Sequence, residues 1–325
     1  MRGKTVGALP SAVSPEARRR LLSIDKRRGV LLVLATVALL AAAAGCDEDA
    51  GRWGNPQVAA EAQDVWRFDA VPDLVLDIET ANGAVTILGS DATTEVGVRA
   101  TRSARGRTEE EAQDRLARID YSAQALEGRV VLRYHATGQE EDVRRFAGVA
   151  FDVTLPRGAR ILVRTSNGAV SVEAIRGNAT VTTANGAVDL YDIEGSVIAE
   201  TSNGRVEAVR VAGDVHARTS NGDLWMEEII GVVDGETSNG SVRYVGAPSG
   251  EANRLWTSNG SITVRVPATA SVRFRATTSQ GSLRSQLPLV GDTDGDDWNA
   301  ELNPPATATI SLRTSNGSIR IDGGL

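Results

Sequence analysis

Four aspartates, Asp292, Asp294, Asp296 and Asp297, crowd residues 291–298 of this 325-residue chain. Carboxylates clustered around a glycine can hold Ca²⁺, which takes six to eight oxygen ligands. Asp292, Asp294 and Asp296 have part of the spacing of a calcium loop, but its twelfth position is Asn303 where a closing Glu would stand. Such a cluster could also supply the acid and base for polysaccharide cleavage, although no partner base is visible beside it. A solvated acidic loop is the plainer reading, so beyond this weak calcium alternative no cofactor is expected. His135 and His216 are the only histidines and have no metal-ligand spacing. His216 alternates with Val215 and Ala217 and should face solvent. The many Ser and Thr hydroxyls recur in every repeat, which suits turn bonding better than nucleophilic catalysis. With no catalytic constellation, the chain reads as a non-enzyme.

Cys46, the single cysteine, has a different setting. Arg18, Arg19, Arg20, Lys26, Arg27 and Arg28 precede an apolar run over residues 30–44, then come Gly45, Cys46 and the acidic Asp47, Glu48 and Asp49. The run is shorter than the roughly 20 residues of a membrane span. A basic flank and a small-residue exit read as a secretory signal, and residues 40–46 resemble a bacterial lipobox, whose cysteine is diacylated and becomes the mature N-terminus. The expected organisation is a signal peptide at 1–45, a polar tether at 46–65 and a folded body at 66–325. The formal net charge is −7; with eight basic and two acidic residues ahead of Cys46, the remaining 27 basic and 40 acidic side chains give −13. Every basic residue of the mature part is Arg, and without a cationic footprint nucleic acid is not an expected partner. Expected instead is a lipid-anchored protein on the extracytoplasmic face of the cell membrane, meeting an envelope protein or a glycan.

The elements that would carry any such surface are set by a repeat. Asn167-Gly168, Asn185-Gly186, Asn203-Gly204, Asn221-Gly222 and Asn239-Gly240 recur every 18 residues, and Asn259-Gly260 and Asn316-Gly317 continue the motif at wider spacing. Three positions after each Asn stand Val170, Val188, Val206, Leu224 and Val242, and five positions after stand Val172, Leu190, Ala208, Met226 and Tyr244, with mostly polar residues between. This is the period-2 alternation of short strands with one buried face. One repeat is too small to bury that face alone, whereas stacked copies share a continuous core. The expected fold is all-β: a parallel β-helix, or β-solenoid, of 18-residue coils, regular over about residues 160–265. In it Thr165, Thr183, Thr201, Thr219 and Thr237 would form a file, and the Asn side chains a ladder, about 4.8 Å apart. Each Gly of an Asn-Gly pair would serve a turn by accepting positive φ. Asn-Gly is also the strongest local hairpin signal, so an antiparallel meander of 18-residue hairpins stays open.

Around the array, Asn82-Gly83 marks one outlying strand pair. Thr108 and Glu111 have capping-box spacing, and Ala112, Leu116 and Ile119 follow at helical intervals, which predicts one short capping helix over residues 108–119. Residues 138–145 read as a charged loop. Gln280 replaces Asn 21 residues after Asn259, and Asn316 lies 36 beyond it, as if a longer loop had replaced one turn. Tyr191, Trp225 and Trp256 point outward, and aromatic rings on a flat β face could hold a sugar or a protein partner.

The Thr-Ser-Asn-Gly-x-Val repeat, preceded by Phe151-Asp152-Val153-Thr154-Leu155-Pro156-Arg157-Gly158, resembles the DUF4097 group of adhesin-like bacterial envelope proteins over about residues 70–325. The resemblance implies a parallel β-helix-like body with no catalytic residues to carry over. It suggests a non-enzymatic envelope lipoprotein serving adhesion, scaffolding or signalling; a polysaccharide-acting β-helix enzyme and a purely structural envelope component are the alternatives.

Overall fold

The computed structural model describes residues 58–135 and 140–324. In chain order come β1 (Val58–Asp69), β2 (Val75–Glu79), β3 (Val85–Ser90), β4 (Glu95–Gly106), α1 (Glu109–Ala117), β5 (Tyr121–Leu126), β6 (Arg129–Tyr134), α2 (Glu141–Phe146) and β7 (Ala147–Pro156). The repeats supply β8 (Arg160–Arg164), β9 (Val170–Ile175), β10 (Ala179–Thr182), β11 (Val188–Ile193), β12 (Val197–Glu200), β13 (Val206–Ala212), β14 (Val215–Thr219), β15 (Leu224–Ile230), β16 (Val233–Thr237), β17 (Val242–Val245), β18 (Asn253–Thr257) and β19 (Ile262–Val266). After them run β20 (Val272–Gln280), β21 (Leu283–Ser285), β22 (Val290–Asp292), β23 (Asp297–Leu302), β24 (Ala308–Asn316) and β25 (Ile319–Gly323).

These strands form two mixed sheets. The first is ordered β1-β4-β7-β3-β9-β11-β13-β15-β17-β19-β25-β21, and the second β5-β6-β2-β8-β10-β12-β14-β16-β18-β24-β20-β23-β22. Pairing is parallel through the repeats, with Val188 opposite both Val170 and Val206, so neighbouring repeats do not run antiparallel. Antiparallel pairs are confined to the ends: β1 with β4, β4 with β7, β5 with β6, and β23 with β20 and β22.

In-register pairing places Val170, Val188, Val206, Leu224, Val242 and Ile262 in one buried file. Val172, Leu190, Ala208, Met226, Tyr244 and Val264 form the next. One apolar cluster draws on both sheets. Burying each valine, leucine, isoleucine or methionine of these files stabilises by roughly 1.5–3 kcal/mol over leaving it exposed, which is how strands of four to seven residues hold together.

Four local expectations are corrected. Residues 58–65, expected in the tether, are the first part of β1 and pair with β4, with Ala60 and Ala62 buried by strand alternation. The Asn-Gly glycines do not lie in the left-handed region. They are required by close approach, since a Cβ on Gly186 or Gly204 would sit 1.8 Å from the carbonyl oxygen of the glycine one level below. Left-handed φ falls instead on non-glycine residues, Ala174, Asp192, Arg210 and Glu228, at 54–61°. They make a further bend just before the buried Ile175, Ile193, Val211 and Ile229, which apolar patterning could not mark. In the helix α1, Thr108 Oγ1 accepts from Glu111 N as expected, but Glu111 Oε2 accepts from Arg107 N, one residue outside a capping box. The helix packs against β4 and β1 and buries Ala112 and Leu116. The charged segment at 138–145 is not simply a loop, because residues 141–146 form α2.

Spatial order also departs from sequence order at both ends of the array. β2 and β3 are inserted between β6 and β8 and between β7 and β9, while β24 and β25 are inserted between β18 and β20 and between β19 and β21. Asn316 is therefore no second repeat after Gln280: its Nδ2 donates to Asn259 Oδ1 at 2.8 Å.

Candidate functional surface

The Asn-Gly turns bring eight asparagines into one exposed edge. Asn167 Nδ2 donates to Asn82 Oδ1 at 2.6 Å, Asn185 to Asn167 at 2.7 Å and Asn203 to Asn185 at 2.7 Å. Asn221, Asn239, Asn259 and Asn316 continue the ladder at 2.8–2.9 Å. Beneath it runs a file of buried threonines. Thr201 Oγ1 donates to Gly186 O at 3.0 Å and accepts from Gly204 N at 3.2 Å, so each hydroxyl ties its own turn to the level below. Thr183, Thr219, Thr237, Thr257 and Thr314 likewise donate to glycine carbonyls one level down. Gly168, Gly222, Gly240, Gly260 and Gly317 meet the glycine of the level below at 1.9–2.1 Å from an added Cβ. These residues set the spacing of the edge and have little unused bonding capacity of their own.

Parallel register also sets outward side chains in files. On the first sheet Asp189, Glu207, Trp225 and Arg243 are successive partners, and on the second Ile198, His216, Asp234 and Arg254. Arg205 bridges Asp189 and Glu207, both at 3.1 Å. Asp234 accepts from Arg254 at 2.8 Å and pairs with His216 Nδ1 at 2.9 Å, so His216 is engaged on an outer face rather than free in solvent. Exposed pairs of this kind each contribute about 0–1 kcal/mol.

The three outward aromatics do not make one platform. Trp225 is 41% exposed, donates Nε1 to Glu227 at 2.9 Å and carries the Arg243 guanidinium 4.6 Å over its ring. Tyr191 is on the same sheet in a neighbouring file, half-buried. Burial, together with a hydrogen bond to Glu207 and the charges of Glu207 and Asp189, pushes its hydroxyl up to about 12. Trp256 lies on the second sheet between Glu236 and the strand bearing Arg313.

The acidic stretch is the connection of the β22–β23 hairpin, turned by Gly295 at φ 69°. Asp294 N donates to Asp292 Oδ1 at 3.1 Å, and Asp297 Oδ1 accepts from Thr277 at 2.9 Å. Among the described residues no three acidic, His or Cys side chains are grouped so that they could hold a metal ion. Cys46 lies outside the described residues.

Two buried polar groups had no signal in the repeat pattern. Asp77, 3% exposed, is paired with Arg133 at 2.8 Å and Arg129 at 3.0 Å. Burial alone would raise its pKa, but the Arg133 hydrogen bond and the charges of Arg133, Arg129 and Arg164 prevail and hold it below the usual value. Tyr244 is fully buried with no partner for its hydroxyl among the described residues, and burial raises its pKa.

The profile of the Toastrack DUF4097 family matches residues 75–322. No curated protein matches the chain. Among solved structures it is similar to a candidate cell adhesion protein from Clostridium sporogenes, at 9% identity and TM-score 0.28 over 81% of this chain and 100% of that one. A candidate adhesin from Bacteroides fragilis matches at 10% identity and TM-score 0.39 over 83% and 98% of the two chains. Another from Parabacteroides distasonis matches at 10% and 0.28 over 81% and 97%.

Proposed function

We propose that this chain, which belongs to the Toastrack DUF4097 family, is a non-enzymatic envelope lipoprotein. Its body is a β-solenoid of 18-residue coils, each contributing one strand to either sheet, and it presents flat, rigid faces for adhesion, scaffolding or signalling. The observation that carries this reading is the parallel register, which repeats the outward positions from strand to strand, as in the file from Asp189 to Arg243. A partner with its own repeat, such as a glycan chain or an extended envelope protein, meets a surface whose spacing is fixed by the asparagine and threonine files and needs little ordering on binding. Anchorage rests on Cys46, with the acyl chains holding an acidic body at the outer face of the cell membrane.

Replacing Cys46 by Ser should move the protein from the membrane to the soluble extracytoplasmic fraction; unchanged retention overturns the anchor. For the binding surface, a photo-crosslinker at Asp189 in the native envelope should trap a discrete partner that is lost on Trp225→Ala, while the same label at Ser202 on the ladder edge should not. Equal, unspecific labelling from both positions overturns the presenting face.

A further inference from the structure

At the end of the ladder where Asn82 sits, a cleft of about 490 Å³ opens between β4, the end of α2 and the first asparagine turns, lined by Asn82, Ser103, Arg105, Arg145, Phe146 and Asn167. Its titratable lining residues are both cations. Neither Arg105 nor Arg145 forms an ion pair among the described residues, although the mature sequence is acidic overall.

The cleft is held from behind. Arg115, 8% exposed, pairs with Glu111 and with Asp142 at 3.1 Å, and donates to the carbonyl of Arg105. Its guanidinium lies 4.8 Å from the Phe146 ring centroid, and that of Arg145 lies 5.4 Å from the same ring. Phe146 thus gives Arg145 a fixed seat through a cation–π contact. On the other wall, Asn82 is locked: its Oδ1 accepts from Asn167, and its Nδ2 donates to Arg144 O at 2.6 Å and Ala147 O at 3.1 Å. What remains for a ligand is mostly donors: two guanidiniums, the Ser103 hydroxyl and the second hydrogen of the Asn167 amide.

We propose that this cleft binds an acidic saccharide unit, its oxyanion held by Arg105 and Arg145 and its hydroxyls by Ser103 and Asn167. Guanidiniums suit carboxylate and phosphate oxygens, and the volume falls in the range of pockets for small organic ligands. The proposal does not need the flat faces to bind anything, so it can fail while the presenting-surface reading stands, and the converse.

The test titrates purified full-length protein at low ionic strength with sodium glucuronate, glucose 6-phosphate, glucose and inorganic phosphate, by calorimetry and ligand-observed NMR. Saturable binding of glucuronate, of glucose 6-phosphate or of both supports the proposal, and their relative affinities say whether the oxyanion is carboxylate or phosphate. Glucose should bind at least tenfold more weakly. Arg145→Gln and Arg105→Gln should each weaken binding by about tenfold or more, with the fold retained because both side chains are exposed and Arg145→Gln gives up only an exposed cation–π contact. Arg176→Gln, whose side chain is ion-paired with Asp91 outside this cleft, should leave affinity unaltered and serves as the control. No saturable binding of either sugar acid, binding no stronger than inorganic phosphate alone, or full binding by the Arg105→Gln, Arg145→Gln double variant overturns the proposal.

Discussion

Placing a methyl group on the ladder, as Gly204→Ala, tests why the repeat contains glycine. The backbone there is not left-handed, so a turn-conformation argument expects at most a small penalty. Stacking expects a large one. The new Cβ would lie 1.8 Å from Gly186 O and 2.5 Å from Gly186 C, both backbone atoms fixed by their own level. Ordinary contact needs well over 3 Å, so the two turns would have to separate by more than about 1 Å. That displacement stretches the bond from Thr201 Oγ1 to Gly186 O at 3.0 Å, the Asn203–Asn185 side-chain bond at 2.7 Å, and the bond from Asn203 N to Ala184 O at 2.9 Å. At about 1 kcal/mol per bond the loss is about 3 kcal/mol. Urea denaturation followed by far-UV circular dichroism measures it, with Gly158→Ala as the comparison: nothing lies within 4 Å of a Cβ there, so that variant should match or slightly exceed wild type. Equal midpoints for Gly204→Ala and wild type would refute the close-approach account.

Other substitutions separate the remaining causes. Tyr244→Phe removes a buried hydroxyl without a described partner and should raise stability by about 1 kcal/mol in the same assay; a loss of that size would show that the hydroxyl is bonded. Ala174→Gly relieves a left-handed alanine at φ 61° and should add about 0.5–1 kcal/mol, whereas a destabilised variant would mean that the bend is stiffened by that residue. Asp77→Asn should cost about 1–3 kcal/mol at neutral pH, since its partners Arg129 and Arg133 keep some solvent access. The folded pKa of Asp77 is depressed, so its contribution is present above the unfolded value near 4 and fades as pH falls through the folded one. The stability gap between wild type and Asp77→Asn should therefore narrow below about pH 4, and a gap constant with pH would contradict the ion-pair explanation.

The middle of the fold was legible because one constraint repeats. Val188 must match Val170 and Val206 in size and facing, so the columns of the sequence became the buried files of the sheets. Parallel direction, which matching residue sizes within each column favoured, was not fixed by the turns, since Asn-Gly also serves a hairpin; the partner across each strand decides it. The left-handed bend at Ala174, Asp192, Arg210 and Glu228 was hidden because four different residue types occupy one backbone state. The weak points of the site reading have the same origin. Tyr191, Trp225 and Trp256 are alike in sequence terms, yet Trp256 alternates onto the other sheet. The cleft at Arg105, Arg145 and Phe146 joins residues 40 positions apart from outside the repeat, and only their convergence on Asn82 exposes it. A charged segment with arginines beside an aromatic, as at residues 144–146, was the available signal.

The inserted strands at the two ends follow from how slowly loop closure grows in cost. Within the array, hydrogen-bonded asparagines are 18 residues apart; at one end the separation is 85, between Asn82 and Asn167, and at the other 57, between Asn259 and Asn316. Closing 85 residues rather than 18 costs about 1.4 kcal/mol more, since the entropy term scales as 1.5RT times the logarithm of length. That is comparable to one or two net hydrogen bonds. Against it, β3 gains parallel neighbours on both sides and buries Val85 and Ile87, and β25 does the same with Ile319 and Ile321. Local stacking therefore outweighs sequence proximity. The strands outside these insertions, β6 and β7 at one end and β20 and β21 at the other, are followed by antiparallel β1, β4, β5, β22 and β23. A parallel stack left open would present strand edges to other copies of the chain; here the outermost edges belong to antiparallel strands in three places, with only three-residue β21 closing the fourth.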